Sequence, residues 1–243
     1  MIYEILSVLT RFNEVVSKHN KRRYFVDETK VPEAWRVLRI QSELVDGIET
    51  LAKLGRAVTV FGGARFTETS PYYQEAQRLG ELLGIEGVPV ITGGGPGIME
   101  GANKGCFSTA TNTVGLNITL PREQTSNPYQ DISLEFRYFF VRKFMFVKHA
   151  VGFAIFPGGY GTMDELFEAL TLVQTAKVRP FPIVLIGKDY WKGLVEWIEG
   201  TMLAQGCIEA SEKRLFTVVD DAAAAAKIFL RHVRMIKAQA LAE

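Results

Sequence analysis

Residues 152–165 read GFAIFPGGYGTMDE: a short apolar run, then a proline and two glycines, then a segment opening with glycine and threonine. A run apolar at every position fits a strand buried on both faces, and such strands belong to parallel sheets covered by helices on each side. The turn after it brings main-chain amides and the positive end of a helix dipole to the carboxyl end of that strand. The same succession recurs upstream. AVTVF (57–61) runs into Gly62-Gly63-Ala64-Arg65, and PVIT (89–92) runs into Gly93-Gly94-Gly95-Pro96-Gly97 ahead of Ile98-Met99-Glu100. TVGLNI (113–118), PIVLI (182–186) and LFTVV (215–219) complete the strand candidates, with helices expected at 71–84, 97–107, 162–175, 190–204 and 221–240. The fold class is α/β: a doubly wound, mostly parallel, Rossmann-like sheet with helices on both faces. Sheets of this kind bind ligands beyond the strand carboxyl ends, near the topological switch point. Residues 1–54 mix charge with apolar residues at helical spacing, among them Leu38, Val45, Ile48 and Leu51. They are expected to form an N-terminal helical extension to the domain at 55–243.

Composition narrows the chemistry. Of 243 residues, 28 are Lys or Arg and 27 Asp or Glu, which leaves no bulk positive field to draw nucleic acid or anionic membrane. Cys106 and Cys207 lie far apart, and His19, His149 and His232 have no ligand spacing, so neither a disulfide framework nor a metal site is expected. The N-terminus lacks a basic region and a cleavage site, and no apolar run is long enough to span a bilayer. A cytoplasmic setting, with neither secretion nor membrane insertion, follows as the expectation.

None of the three glycine loops ends in GK[ST] and none is GxGxxG, which argues against a P-loop nucleotidase and a dinucleotide enzyme. In the third loop, Gly159, Gly161 and Thr162 offer amides and one hydroxyl to a phosphate. Glu165 follows Thr162 by three residues, the capping-box spacing if Thr162 caps the helix, and is expected in its first turn. A carboxylate there repels a nearby phosphate. The workable arrangement puts the phosphate on the amides and Glu165 toward a sugar, where it stabilises positive charge or positions a water.

A positive partner comes from FRYFFVRKFMFVKHAV, residues 136–151. If 139–149 is helical, Arg142 and Phe146 share a face that can look toward the strand ends, and Lys143 points about 100° away. Phe139, Phe140, Phe144 and Phe146 are together too apolar for a solvent face and are expected in the core or a subunit interface. Glu100 and Asn103, on or beside the helix after the second loop, are candidates to contact a base or ribose. Cys106 reads as a small buried residue.

GGGPGIMEGANKG (93–105), VRK (141–143) and PGGYGTMDE (157–165) closely resemble the LOG family of cytokinin riboside 5'-monophosphate phosphoribohydrolases, many of which have been labelled possible lysine decarboxylases. The resemblance covers about residues 55–220. It implies a Rossmann-like, commonly dimeric protein that hydrolyses the N-glycosidic bond of a nucleoside 5'-monophosphate to free base and ribose 5-phosphate, without a cofactor. AMP and a cytokinin riboside 5'-monophosphate are the candidate substrates, and cytokinin biosynthesis the family's setting. Carried onto this chain, the catalytic pair is Arg142 and Glu165, and the phosphate turn is Pro157, Gly158, Gly159, Gly161 and Thr162. Gly62, Gly63, Gly94, Gly95, Gly97, Met99, Glu100, Asn103 and Lys143 make up the rest of the substrate side. Plant-like members tend to have glycine where this chain has Glu100, so it resembles bacterial members there. A pyridoxal enzyme would need a lysine for the cofactor, and none of Lys104, Lys143 or Lys148 has a sequence context that requires the role. The alternatives are a non-catalytic nucleotide-binding, sensor or carrier protein, and an enzyme acting on another phosphorylated sugar or nucleotide.

Overall fold

The computed structural model describes residues 32–119 and 125–242. The chain runs α1 (Glu33–Leu51), β1 (Ala57–Phe61), α2 (Pro71–Ile85), β2 (Val90–Thr92), α3 (Ile98–Phe107), β3 (Thr113–Ile118), β4 (Ile132–Phe136) and α4 (Phe139–Lys148). It continues through β5 (Ala150–Ile155), α5 (Tyr160–Gln174), β6 (Ile183–Ile186), α6 (Lys188–Trp197), β7 (Thr217–Val219) and α7 (Ala222–Ala242). All seven strands pair in parallel, in the order β4-β3-β2-β1-β5-β6-β7. The sheet grows from β1 to one edge, and the chain then returns to lay β5 on the other side of β1. The switch point therefore falls between β1 and β5, where the first and third glycine loops begin.

The doubly wound parallel sheet anticipated from the apolar runs is present, with one strand more than the sequence reading found. That strand, β4, reads ISLEF, and only Leu134 and Phe136 of it are buried. As an edge strand it carries Ser133 and Glu135 outward, so it lacks the all-apolar pattern of strands such as β1, whose five residues are all buried.

Alternation along β1 splits the core. Val58 and Val60 face a layer with Ile98, Ala102 and Phe229, whereas Ala57 and Phe61 face a layer with Phe146, Phe153 and Leu166. Phe61 meets Phe146 and Phe153 edge-on at centroid distances of 4.9 and 5.1 Å. Such pairs add about 1 kcal/mol beyond area burial, and here they tie α4 to the sheet beneath the first glycine loop.

In α1 the buried stripe differs from the one expected. Leu51 is in the core, but Leu38, Val45 and Ile48 are exposed; Ile40, Leu44, Gly47 and Leu51 make the packed face. Those four follow the i, i+4, i+7, i+11 spacing of one helical face. At Gly47 a Cβ would stand 2.8 Å from Met145 Cε, so the missing side chain lets α1 lie close on α4. The Glu43 carboxylate also accepts the Arg137 amide at 3.1 and 3.2 Å and the Tyr138 amide at 3.4 Å. An anion there satisfies amides at the start of α4 and complements its dipole. The remaining helical expectation, for residues 1–31, lies outside the described residues. No helix among the described residues is long and apolar enough to cross a membrane.

Candidate active site

Three glycine turns meet at the switch point through main-chain bonds. The Gly63 amide donates to Pro157 O at 2.9 Å, Phe156 to Phe61 O at 2.8 Å, and Ile98 to Gly63 O at 3.1 Å. Gly97 precedes α3 with φ +71°, and a Cβ there would overlap Gly63 O and Ala64, so both conformation and space demand glycine. Gly62 gives room to Ile98, and Gly158 to the Thr162 hydroxyl. Gly159 and Gly161 are different: a Cβ on either meets nothing within 4 Å. Their glycines answer no packing demand and open onto free space at the mouth of α5.

α5 begins earlier than the sequence suggests. Gly159 is its N-cap, and the Met163 amide bonds back to Gly159 O at 3.1 Å. The amides of Tyr160, Gly161 and Thr162 thus have no acceptor within the helix, the arrangement that receives anions. Thr162, expected as the cap, is the third helical residue. Glu165 therefore sits in the second turn, and its carboxyl is too far along the helix for a capping box. It was placed a turn too early because threonine outranks glycine as a cap on propensity.

Released from capping, the Glu165 side chain lies among charges on α4 and α5. Burial pushes its carboxyl up to about 7; Lys143 and Arg142 pull it down, and Glu168 and Asp164 raise it. Arg142 donates from Nε to Leu116 O at 2.7 Å and from Nη2 to Gly93 O at 3.1 Å, and its guanidinium lies 5.1 Å from the Phe146 ring centroid. The shared face of Arg142 and Phe146 is thus present, aimed at the ends of β2 and β3. Burial draws the Arg142 guanidinium down to about 10, opposed by Glu165, and it remains a cation at neutral pH. Lys143 turns to α5 instead, 2.6 Å from Glu168 Oε2 and 2.8 Å from Asp164 Oδ2.

The second loop completes the wall. A Cβ on Gly93 would collide with the Arg142 guanidinium and stand 2.9 Å from Met99 Sδ, so Met99 and Arg142 converge over that glycine. Glu100, half-buried, accepts the Tyr73 hydroxyl at 3.1 Å, and burial followed by Glu100 pushes that phenol up. Asn103 departs from its expected role. It is fully buried, and its amide is taken up by Thr92 (2.5 Å), Asn127 (3.0 Å), Thr113 (2.6 Å) and Val114 O (3.2 Å). Its donors and acceptor hold the loop in shape and leave nothing to reach a base or ribose.

Asn127 and Gln130 were missed. The Asn127 amide donates to Gly94 O at 2.8 Å and its side chain to Gly95 O at 3.0 Å, and Gln130 Nε2 donates to Gly94 O at 2.9 Å. With φ +72° at Gly94, these bonds fix the carbonyls of the second loop. The Asn127-Pro128 turn signal was the only sequence clue, and it points to a turn, without indicating where the turn docks.

A parallel sheet with glycine turns at its switch point, and with the half-buried Glu165 and Arg142 beside them, defines the class: a Rossmann-like α/β protein. The chain belongs to the family described as "Possible lysine decarboxylase", whose family model matches residues 99–229. It is 27% identical over 168 residues to cytokinin riboside 5'-monophosphate phosphoribohydrolase LOG4 of Arabidopsis thaliana, covering 68% of this chain and 76% of that protein. It is 28% identical over 194 residues to the pyrimidine/purine nucleotide 5'-monophosphate nucleosidase of Escherichia coli K12, covering 74% of this chain. This chain spans 41% of that nucleosidase's length. Among solved structures, the molybdenum cofactor binding protein of Rippkaea orientalis superposes with a TM-score of 0.52 at 22% identity, over 76% of this chain and 96% of that one. The molybdenum cofactor carrier protein of Chlamydomonas reinhardtii gives 0.52 at 21% identity, over 74% and 99%. What these two share with the chain is the fold.

Of the described residues, neither Lys143 nor Lys104 fits the decarboxylase in the family's description. Pyridoxal chemistry needs an amine available to the cofactor's aldehyde beside the phosphate turn. Lys143 is bound by two carboxylates, and Lys104 Nζ lies 3.3 Å from Glu68 Oε2.

Proposed function

We propose that the chain is a nucleoside 5'-monophosphate phosphoribohydrolase, releasing free base and ribose 5-phosphate from AMP or a cytokinin riboside 5'-monophosphate. The observation that carries this reading is the position of Glu165: half-buried beside Arg142, one turn of α5 beyond the amides of Tyr160, Gly161 and Thr162 that have no acceptor within the helix. A helical turn advances about 5.4 Å, the scale of the distance from a 5'-phosphate to C1' across a ribose. With the phosphate on those amides, C1' comes to Glu165. The water oxygen bonds C1', Glu165 takes the water's proton, and the N–C1' electron pair leaves with the base, which takes up a proton. Glu165 also offsets the positive charge that develops at C1' and the ring oxygen, and Arg142 balances the carboxylate and the phosphate. The names of the plant and E. coli relatives support the substrate class.

The test is a panel of nucleoside monophosphates and other sugar phosphates, analysed by chromatography. Free base with ribose 5-phosphate is the expected outcome, and tight binding without turnover would instead mark a sensor or carrier. Within this reading Gly161→Asp raises KM for AMP about tenfold or more, since a carboxylate at the open mouth of α5 repels the phosphate. Thermal stability holds or rises, because an acid in the first turn favours the helix. An unchanged KM would remove the phosphate from this turn.

The same reading includes a second copy of the chain and a cytoplasmic setting, the latter in keeping with free Cys106 and Cys207. Of the four phenylalanines expected in the core or an interface, Phe146 is in the core, while Phe139, Phe140 and Phe144 are 54%, 55% and 47% exposed. Nearby on α5, Tyr160, Met163, Phe167 and Leu172, with Asp164, Glu168 and Thr171 among them, line an open groove of about 460 Å³. An apolar face of this kind favours association. Light scattering at micromolar concentration is expected to give at least twice the chain mass of 27.2 kDa, and a persistent monomer mass would exclude the dimer.

A further inference from the structure

Lys143 follows Arg142 directly; its helical position points it away from Arg142, and only the family resemblance put it on the substrate side. The geometry gives it a different task. Its ammonium is 2.6 Å from Glu168 Oε2 and 2.8 Å from Asp164 Oδ2, the two acids that flank Glu165 on α5. Asp164, Glu165 and Glu168 lie within about one turn of α5, so both acids held by Lys143 are close neighbours of Glu165 along the helix. Two cations face them, Arg142 and Lys143, both from α4. Arg142 is anchored on Leu116 O and Gly93 O, which leaves Lys143 as the cation bound directly to the flanking acids.

We propose that Lys143 is a positioning residue for Glu165: clamped between Asp164 and Glu168, its ammonium offsets those two carboxylates and keeps Glu165 available as an anion, without touching substrate. The ion pairs also join α4, the helix that carries Arg142, to the second and third turns of α5. Burial is the largest influence on the Glu165 carboxyl and Lys143 the next, ahead of Glu168, Arg142 and Asp164. Lys143 holds its own proton more firmly than an ordinary lysine: burial opposes the charge, but the bonds to Asp164 and Glu168 prevail. The ammonium is therefore present throughout the pH range in which Glu165 titrates.

The kinetic arm of the test rests on the phosphoribohydrolase reading; a second arm does not. In Lys143→Met the acid limb of kcat/KM for AMP moves up by about one pH unit or more. That leaves about fivefold less activity at pH 7 and near-normal activity at pH 9. Lys143→Arg keeps the wild-type midpoint. Glu168→Gln moves the limb downward, and Lys143→Met combined with Glu168→Gln returns it toward wild type. A rise in KM with an unmoved midpoint would make Lys143 a substrate contact, and an equal loss at every pH would make it a structural tie alone; either overturns the proposal. The second arm titrates the Glu165 carboxyl by carbon-13 NMR on glutamate-labelled protein, assigned with Glu165→Gln, and needs no turnover. An upward shift in Lys143→Met upholds the proposal even if wild type releases no base from any nucleotide, an outcome that would end the phosphoribohydrolase reading alone. No shift in that titration overturns it.

Discussion

Glu165→Gln lowers kcat for mononucleotide hydrolysis by about 10²- to 10⁴-fold, the range for loss of a positioned general base, and leaves nucleotide affinity within a few-fold of wild type. The amide keeps the shape of the side chain and cannot accept the water's proton. In wild type the activity falls as pH drops through about 7, because burial has raised the Glu165 carboxyl to that value and protonation removes the base. Stability carries the opposite signature. A carboxyl raised from 4.5 to about 7 on folding contributes stability below pH 4.5, which is lost as pH rises through about 7. Glu165→Gln is therefore expected to melt at a higher temperature than wild type at pH 8, with the difference vanishing below about pH 4.5. Had Glu165 been a capping residue, its removal would cost about 1 kcal/mol of stability and leave activity intact. Steady-state kinetics with melting curves at pH 4.5 and 8 separate the two.

Arg142→Ala is the second large effect, and it acts on both folding and turnover. The side chain's bonds to Leu116 O and Gly93 O satisfy carbonyls of buried residues at the ends of β3 and β2. Leaving them without a partner costs about 1–3 kcal/mol. Loss of the cation beside Glu165 and the phosphate lowers kcat/KM by about 10²-fold or more. Arg142→Lys keeps the charge but lacks the planar fork that spans both carbonyls, so it recovers only part of each effect. Denaturant unfolding measures the first loss, and kinetics at saturating and limiting AMP the second. Wild-type kcat/KM in Arg142→Ala would remove this residue from the site.

Most of the strands that could be read from sequence are those with both faces buried: β1, β2, β3, β5 and β6 announce themselves as largely apolar runs, because water is excluded from both sides. The edge strand β7 was also legible, from the apolar run LFTVV, although only Val219 of it is buried. β4 was not, because its outer face is polar. At the site, glycine-rich turns and the Arg142-Glu165 pair were legible from motif and spacing. Their geometry was less so. The start of α5 depends on Gly159 taking the cap position, and this moved Glu165 out of the first turn. Roles that depend on contacts between distant segments were hidden altogether. Asn103 shows as a polar residue on a helix, and only its meeting with Thr92, Thr113 and Asn127 reveals a buried brace. Lys143 shows as a cation in a basic segment, and only α5 reveals which anions it serves. The support that α1 gives α4 through Glu43 spans more than ninety residues and has no local sequence signal.

The measurement that bears most directly on the account is product stoichiometry from AMP with the purified chain, run beside Glu165→Gln. The account predicts adenine and ribose 5-phosphate in a one-to-one ratio from wild type and almost none from the variant. Adenosine with free phosphate, or saturable AMP binding with no adenine released by the wild-type chain, would contradict it.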